Sequence, residues 1–193
     1  MVKTKICVRV SGGGTNLQAL IDAQKSGILK SGEIALVAAS KPGVYALTRA
    51  SDNGIPSLVM QDEQSLLWEM KKQGIELIVL AGFLKILSPR FINEAPGPII
   101  NVHPALIPSF CGKGAYGLHV HEMALDYGVK VTGATVHYVN EIPDGGKIIS
   151  QKAVEVLDGD TPEILQRRVM EQAEWILLPQ AAEDISRQIM EGK

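Results

Sequence analysis

Apolar positions in this chain fall into short unbroken runs, separated by stretches with helical spacing. "KICVRV" reads as a short buried strand. "NLQALIDAQKSG" follows, with Leu17, Leu20 and Ile21 on one helical face and Gly27 placed to end the helix. "EIALVAAS" predicts a second strand and "VYALTRASDNG" a helix closed by Gly54. "PSLVM" predicts a third strand and "DEQSLLWEMKKQG" a helix closed by Gly74. "ELIVLAG" and "PIINVH" are the fourth and fifth strands. Strand and helix alternate, and the strands are apolar throughout. The pattern predicts an α/β fold: a Rossmann-like, doubly wound, mostly parallel sheet with helices on both faces.

The second half changes period. "VKVTGATVHYV" and "KIISQKAVEV" read as longer strands joined by the turn-rich "NEIPDGG", which predicts a C-terminal antiparallel hairpin. From Thr161 onward one long helix is expected. Thr161 can cap it, Pro162 suits its first position, and Ile164, Leu165, Val169, Ala173, Ile176 and Leu177 would form its apolar stripe. Repeats and linker-like stretches are lacking, so residues 1–193 read as one domain.

Composition narrows the classes. The chain has 193 residues, enough for a sizeable core, and its 46% apolar and 21% charged content is that of an ordinary globular protein. A net charge of −2 provides no global field for nucleic acid or an anionic membrane. Any anion must be bound by a local device. Cys7 and Cys111 show no disulfide or zinc pattern. The start has no signal-peptide pattern, and no apolar stretch approaches the roughly 20 residues that span a bilayer. A cytoplasmic protein is expected.

In open α/β sheets, ligands sit beyond the carboxyl ends of the strands. "SGGGTN" follows the first strand and opens a helix. Its glycines, Gly13 and Gly14 among them, allow close backbone approach, and the helix start offers free N–H groups. That describes an anion site, with phosphate the expected anion; the alternative is a tight turn with Thr15 or Asn16 as a plain cap. Leu17 stands where the dinucleotide fingerprint needs its third glycine, and Ser40 and Lys41 stand where it needs an acid. "GKG" (112–114) is not a P-loop. Lys41 instead supplies a second positive group, which favours a sugar phosphate.

Asn101 and His103 are two apart at the end of "PIINVH", so they share a face. If the hairpin folds back, Asp144 can meet His103, raise its pKa and favour the imidazolium. An imidazolium and an amide are both donors, suited to a tetrahedral oxyanion. A hydrogen-bonded structural histidine and a plain Asp-Gly-Gly turn are the alternatives. His119 and His121, two apart at a loop–helix junction, make poor zinc ligands, and no metal is expected. Cys111 as a nucleophile has nothing nearby to activate it.

Five stretches in order, "SGGGTNLQALID", "VLAGFLKILSP", "IINVHPALIPSF", "TGATVHYVNEIPDGGKII" and "RVMEQAEWILLP", resemble the folate-dependent formyltransferases over almost the whole chain. The Asn-x-His-Pro signature is shared by the family. The glycine loop and the length resemble its members that act on glycinamide ribonucleotide in purine synthesis. The resemblance implies transfer of the formyl group of 10-formyltetrahydrofolate, as co-substrate, to the amine of 5'-phosphoribosylglycinamide. It implies a phosphate-binding role for Gly14, Thr15 and Asn16, and a substrate-holding role for Glu174 rather than Glu171. Phe83, Leu84, Lys85, Ile86 and Leu87, with Ile142, Pro143 and Asp144, would form the folate pocket beside Asn101. Asn101, His103 and Asp144 would be the catalytic trio, with His137 nearby.

The implied partners are these two small molecules, without nucleic acid or membrane, and a homodimer is left open. The implied division of labour is substrate binding in the N-terminal half and folate binding in the C-terminal half. Related chemistries are hydrolysis of the formyl folate and formylation of methionyl-tRNA. Both normally use an extra domain for which this length leaves no room, and the charge disfavours tRNA. A non-catalytic sugar-phosphate module is a third reading, opposed by the intact trio.

Three positions depart from the family pattern. Lys85 stands where relatives often carry arginine, and "QDEQSLLWEMKKQG" is short and lacks a folate-contacting arginine. Arg9 replaces an aliphatic residue in the first strand, so exposure at a sheet edge or a carboxylate partner is expected.

Overall fold

The computed structural model describes residues 2–192. Strands β1 (Thr4–Val10), β2 (Gly32–Ala39), β3 (Ser57–Val59), β4 (Leu77–Leu80), β5 (Ile99–His103), β6 (Val131–Tyr138) and β7 (Ile148–Glu155) form one seven-stranded sheet. Their order is β3-β2-β1-β4-β5-β6-β7. β1 to β5 pair in parallel, and β6 runs antiparallel to both β5 and β7. The chain leaves β1 toward β2 on one side and returns to β4 on the other. That reversal opens a crevice at the carboxyl ends of β1 and β4.

Helices α1 (Thr15–Ser26), α2 (Tyr45–Asp52), α3 (Glu63–Gln73), α4 (Pro89–Glu94), α5 (Leu118–Tyr127), α6 (Pro162–Val169) and α7 (Trp175–Met190) surround the sheet. Alternation along the strands sorts residues between two apolar layers. Ile6, Val8 and Val10 of β1, with Ile100 and Val102 of β5, pack with Leu17 of α1, Leu165 of α6 and Leu178 of α7. Cys7 and Ile99 face the opposite way, toward Leu66 and Met70 of α3 and Phe91 of α4. Asn101 and His103 therefore share a face, that of the second layer.

Two elements differ from the reading above. α4 was not anticipated, although its signals are present: the Ser88 side chain accepts from the Phe91 N–H, and Pro89 occupies the first turn. The C-terminal helix is not continuous. Thr161 caps α6, accepting from the Ile164 N–H at 3.4 Å, but a π-helical segment, Met170–Glu174, separates α6 from α7. One extra residue in a turn shifts the helix phase by about 100°. Leu165, Val169, Ala173 and Leu177 are buried as predicted, whereas Ile164 and Ile176 are 50% and 37% exposed.

Arg9 fails the first expectation and meets the second only through Glu63, whose charge acts on it without an ion pair. It lies on β1, an interior strand, and is only 1% exposed. Its guanidinium sits over the rings of Phe83 (4.1 Å) and Phe91 (4.5 Å), and its Nη2 donates to Met60 Sδ at 3.0 Å. Among the described residues no carboxylate pairs with it. Aromatic faces take the place of an acid. Burial lowers its pKa to about 10, against the raising influence of Cys7 and Glu63, so it stays charged at neutral pH.

Candidate active site

The glycine loop ends in Gly14, which holds a left-handed conformation (φ 72°) at the start of α1. A Cβ there would lie 2.7 Å from Ala46 Cβ, so the close packing of α2 against the loop requires glycine. No side chain caps α1, which sets aside the plain-cap reading of Thr15 and Asn16. The N–H groups of the first turn are left at the positive end of the helix. The loop is held from behind: Arg49 Nε donates to the Gly13 carbonyl at 2.8 Å, and the Ala46 N–H donates to the Gly12 carbonyl at 3.2 Å.

Asn16 Nδ2 donates to Glu174 Oε2 at 2.7 Å. Glu174 closes the π-helical segment and is buried; burial pushes its pKa up to about 7, against the lowering effect of Asn16. Glu171 is exposed and pairs with Arg167 at 2.8 Å, outside the site.

Asn101, His103 and Asp144 do come together, with His137 added. Asn101 and His137 sit directly opposite in the β5–β6 ladder, and Asn101 Nδ2 lies 3.2 Å from His137 Nε2. His137 Nδ1 lies 2.8 Å from the Tyr138 carbonyl, which can only accept. A proton on Nδ1 therefore leaves Nε2 to accept from the Asn101 amide, fixing that amide's orientation. Asp144, in a left-handed conformation (φ 56°), lies 3.7 Å from His103 Nδ1 and 3.5 Å from His137 Nε2 and accepts from the Gly112 N–H at 2.8 Å. Burial alone would raise the Asp144 pKa; nearby His137, the Gly112 hydrogen bond and the nearby His103 hold it below the usual carboxylate value.

His103 departs from expectation. Its pKa is lowered, because burial outweighs the raising effects of Asp144 and the Phe110 carbonyl, and His137 adds to the lowering. Its Nε2, 2.8 Å from the Phe110 carbonyl, carries the proton of the neutral ring. Nδ1 then has a free lone pair, with Asp144 placed to favour the cation once a proton arrives.

Two cavities open on this group. The larger, about 380 Å³, is lined by all nine residues assigned above to folate: Phe83, Leu84, Lys85, Ile86, Leu87, Asn101, Ile142, Pro143 and Asp144. The smaller, about 220 Å³, is lined by Thr15, Asn16, His103, Glu174 and again Asn101 and Asp144. They share Phe83, Leu84, Ala115 and Tyr116 along with Asn101 and Asp144. Gly13 and Gly14 shape the loop without lining either cavity; Lys41 is exposed and lines neither. Lys85 Nζ donates to the Ser40 carbonyl at 3.4 Å. Each cavity draws on both halves of the chain, where the reading above gives one half to each.

Several residues are added to the site. His137, expected near the trio from the resemblance but without a role, gains one as the partner of Asn101. Ser11 opens the quoted glycine loop but had no role assigned: its hydroxyl accepts from Ser40 Oγ at 3.0 Å and from the Leu84 N–H at 3.1 Å, tying the ends of β1 and β2 to the larger cavity's wall. His121 is fully buried, lines the smaller cavity, and neither ring nitrogen has a hydrogen-bond partner among the described residues. Burial, and then His103, lower its pKa to about 4. His119 is exposed and pairs with Glu122 at 2.9 Å, so it does not converge with His121. Cys111 donates to the Pro108 carbonyl, and burial, with Asp144, raises its pKa, which keeps it a thiol.

A doubly wound sheet with paired cavities meeting at Asn101 and Asp144 defines a group-transfer architecture, and the formyl transferase family matches residues 4–181; the chain belongs to that family. Within it, the chain is similar to proteins of one kind. It is 36% identical over 178 residues to the chloroplastic phosphoribosylglycinamide formyltransferase of Arabidopsis thaliana, covering 87% of this chain and 61% of that protein. It is 43% identical over 178 residues to the trifunctional purine biosynthetic protein adenosine-3 of Gallus gallus, covering 88% of this chain and 17% of that one. The chain thus spans less than two thirds of these relatives. The crystal structure of glycinamide ribonucleotide transformylase 1 from Symbiobacterium toebii superposes with a TM-score of 0.88 at 35% identity, over 96% of this chain and 88% of that chain. The phosphoribosylglycinamide formyltransferase from Brucella melitensis gives 0.85 at 37%, over 96% of each.

Proposed function

We propose that this chain transfers the formyl group of 10-formyltetrahydrofolate to the amine of 5'-phosphoribosylglycinamide, yielding formylglycinamide ribonucleotide and tetrahydrofolate in purine synthesis. The observation that carries the reading is the meeting of two cavities at Asn101 and Asp144. One cavity is the larger and is largely apolar, suited to a folate. The other runs past the uncapped start of α1 and Glu174, suited to a phosphate and sugar. The similarity to phosphoribosylglycinamide formyltransferases supports the same substrates. We treat the chain as one formyltransferase domain working in the cytoplasm.

The amine attacks the formyl carbon, forming a C–N bond and placing charge on the formyl oxygen. Asn101 holds one amide N–H on His137; its other N–H is the donor for that oxyanion. Neutral His103 takes the amine proton on Nδ1, and the imidazolium so formed is favoured by Asp144. Collapse breaks the bond to N10 of the folate, which takes the proton from the His103 imidazolium, and tetrahydrofolate leaves with His103 neutral again. No metal enters this scheme.

The test is a spectrophotometric assay with glycinamide ribonucleotide and a 10-formyl folate. Tetrahydrofolate release that requires glycinamide ribonucleotide is expected. Release at full rate without it would replace the transferase with a hydrolase, and no release in its presence would sink the reading.

A further inference from the structure

Register places Arg9 in the same row of the sheet as the reactive group. Arg9 is paired with Leu80 across β1 and β4, Leu80 with Asn101 across β4 and β5, and Asn101 with His137 across β5 and β6. Neighbouring strands are about 4.8 Å apart, so the backbone of Arg9 lies roughly 10 Å from that of Asn101, with both side chains on the same face. Phe83, one of the two rings it touches, lines both cavities. The segment from Phe83 is also fixed at Leu84, by Ser11, and at its far end, where Ser88 hydrogen-bonds Glu63. Arg9 holds its near end.

As a structural choice this arginine is poor. A buried guanidinium with Nε and Nη1 unpartnered among the described residues costs stability that an apolar side chain of similar length would not. Its contacts are what an apolar chain cannot reproduce: a delocalised cation against the ring of Phe83 on one cavity wall and against Phe91 of α4, with one N–H on Met60 at the end of β3.

We propose that Arg9 is a positioning residue for the formyl donor: from beneath the larger cavity it fixes the Phe83 ring, and with it the wall that takes the folate heterocycle. This rests on the reading of that cavity as the folate site. Arg9 does not touch the substrate; it acts through Phe83.

The experiment measures tetrahydrofolate binding by calorimetry, and KM for each substrate, in wild type, R9M, R9K, F83L and the R9M/F83L double variant. R9M is expected to melt at or above the wild-type temperature. Its folate Kd and KM should rise about tenfold, the scale of a lost cation–π contact with a misplaced ring, while KM for glycinamide ribonucleotide stays within about twofold. R9K should recover part of the folate affinity. F83L should bind folate as weakly as the double variant, because Arg9 acts through that ring. If R9M fails to fold, the R9K and F83L results still decide: unchanged folate affinity in both overturns the proposal. Equal rises in both KM values with a lower melting temperature would make Arg9 merely structural. Wild type that binds folate, with R9M binding equally well, overturns the Arg9 role alone. Wild type that does not bind folate removes the reading of the cavity and the proposal with it.

Discussion

His103 shows how burial and charge compete within one side chain. The sequence reading weighs only the carboxylate neighbour and expects an imidazolium; the fold buries the ring, and burial dominates. The neutral form is the base, so lowering the pKa carries its activity to lower pH. The acid limb of kcat/KM should therefore fall below the ordinary histidine value of 6.5. Asp144→Asn removes a group that raises this pKa, so the limb should move further toward acid while kcat falls. His103→Ala should lose about 10²- to 10⁴-fold in kcat with the fold intact by circular dichroism. A limb that moves toward alkali in Asp144→Asn would reverse the assignment. Pairing at the Asn101–His103 spacing was legible because strand alternation is strict. The His103 protonation state was not, because burial depends on Phe110 and α5, which no local pattern connects to it.

At the scale of elements, two irregular backbones shape the small cavity. Gly14→Ala places a Cβ against Ala46 in a left-handed conformation and should destabilise by about 1–3 kcal/mol in urea unfolding. Gly12→Ala, which meets nothing within 4 Å, should be close to neutral. Glu174, at the end of the π-helical segment, links this site to stability. Its folded pKa of about 7 lies above the ordinary 4.5, so the folded state holds a proton that the unfolded chain has lost. Stability is highest below the lower value and declines as pH rises between the two. Glu174→Gln should remove that decline and raise stability at pH 8 by up to about 3 kcal/mol over wild type, with little change at pH 4. Calorimetric melting at the two pH values decides; an equal shift at both would refute the linkage. Strands and most helices were legible from periodicity. The π-helical segment was not, because "RVMEQAEWILLP" keeps good helical spacing on either side of it and only the packing of α7 reveals the change of phase.

Over the whole molecule, the seven-stranded order places the parallel switch point and the antiparallel addition side by side, so one sheet builds both cavities. The two share walls, Asn101 and Asp144 among them, but each also has lining residues that the other lacks. Glycinamide ribonucleotide and tetrahydrofolate should then bind together. Each at a hundred times its Kd adds about 2.7 kcal/mol to unfolding, and the two increments should sum. Mutually exclusive stabilisation would mean that one molecule fills both spaces. Fold class was legible here because five parallel strands leave unbroken apolar runs. The wall of the larger cavity was only half legible: the sequence marks Lys85 and Arg9 as unusual but cannot say that Arg9 lies inside, since burial of a charge depends on the rings of Phe83 and Phe91 reaching it from other elements.

The opposed placement of Asn101 and His137 also reaches into how the molecule assembles. These residues belong to strands that run in opposite directions and are joined by a long excursion through α5. A slip of β6 by one residue would turn His137 to the far side of the sheet and leave the Asn101 amide without its partner. Closing such a distant ladder is slower than forming helices. During refolding, ellipticity should therefore return before turnover, and the lag between them times the zipping of β6 onto β5.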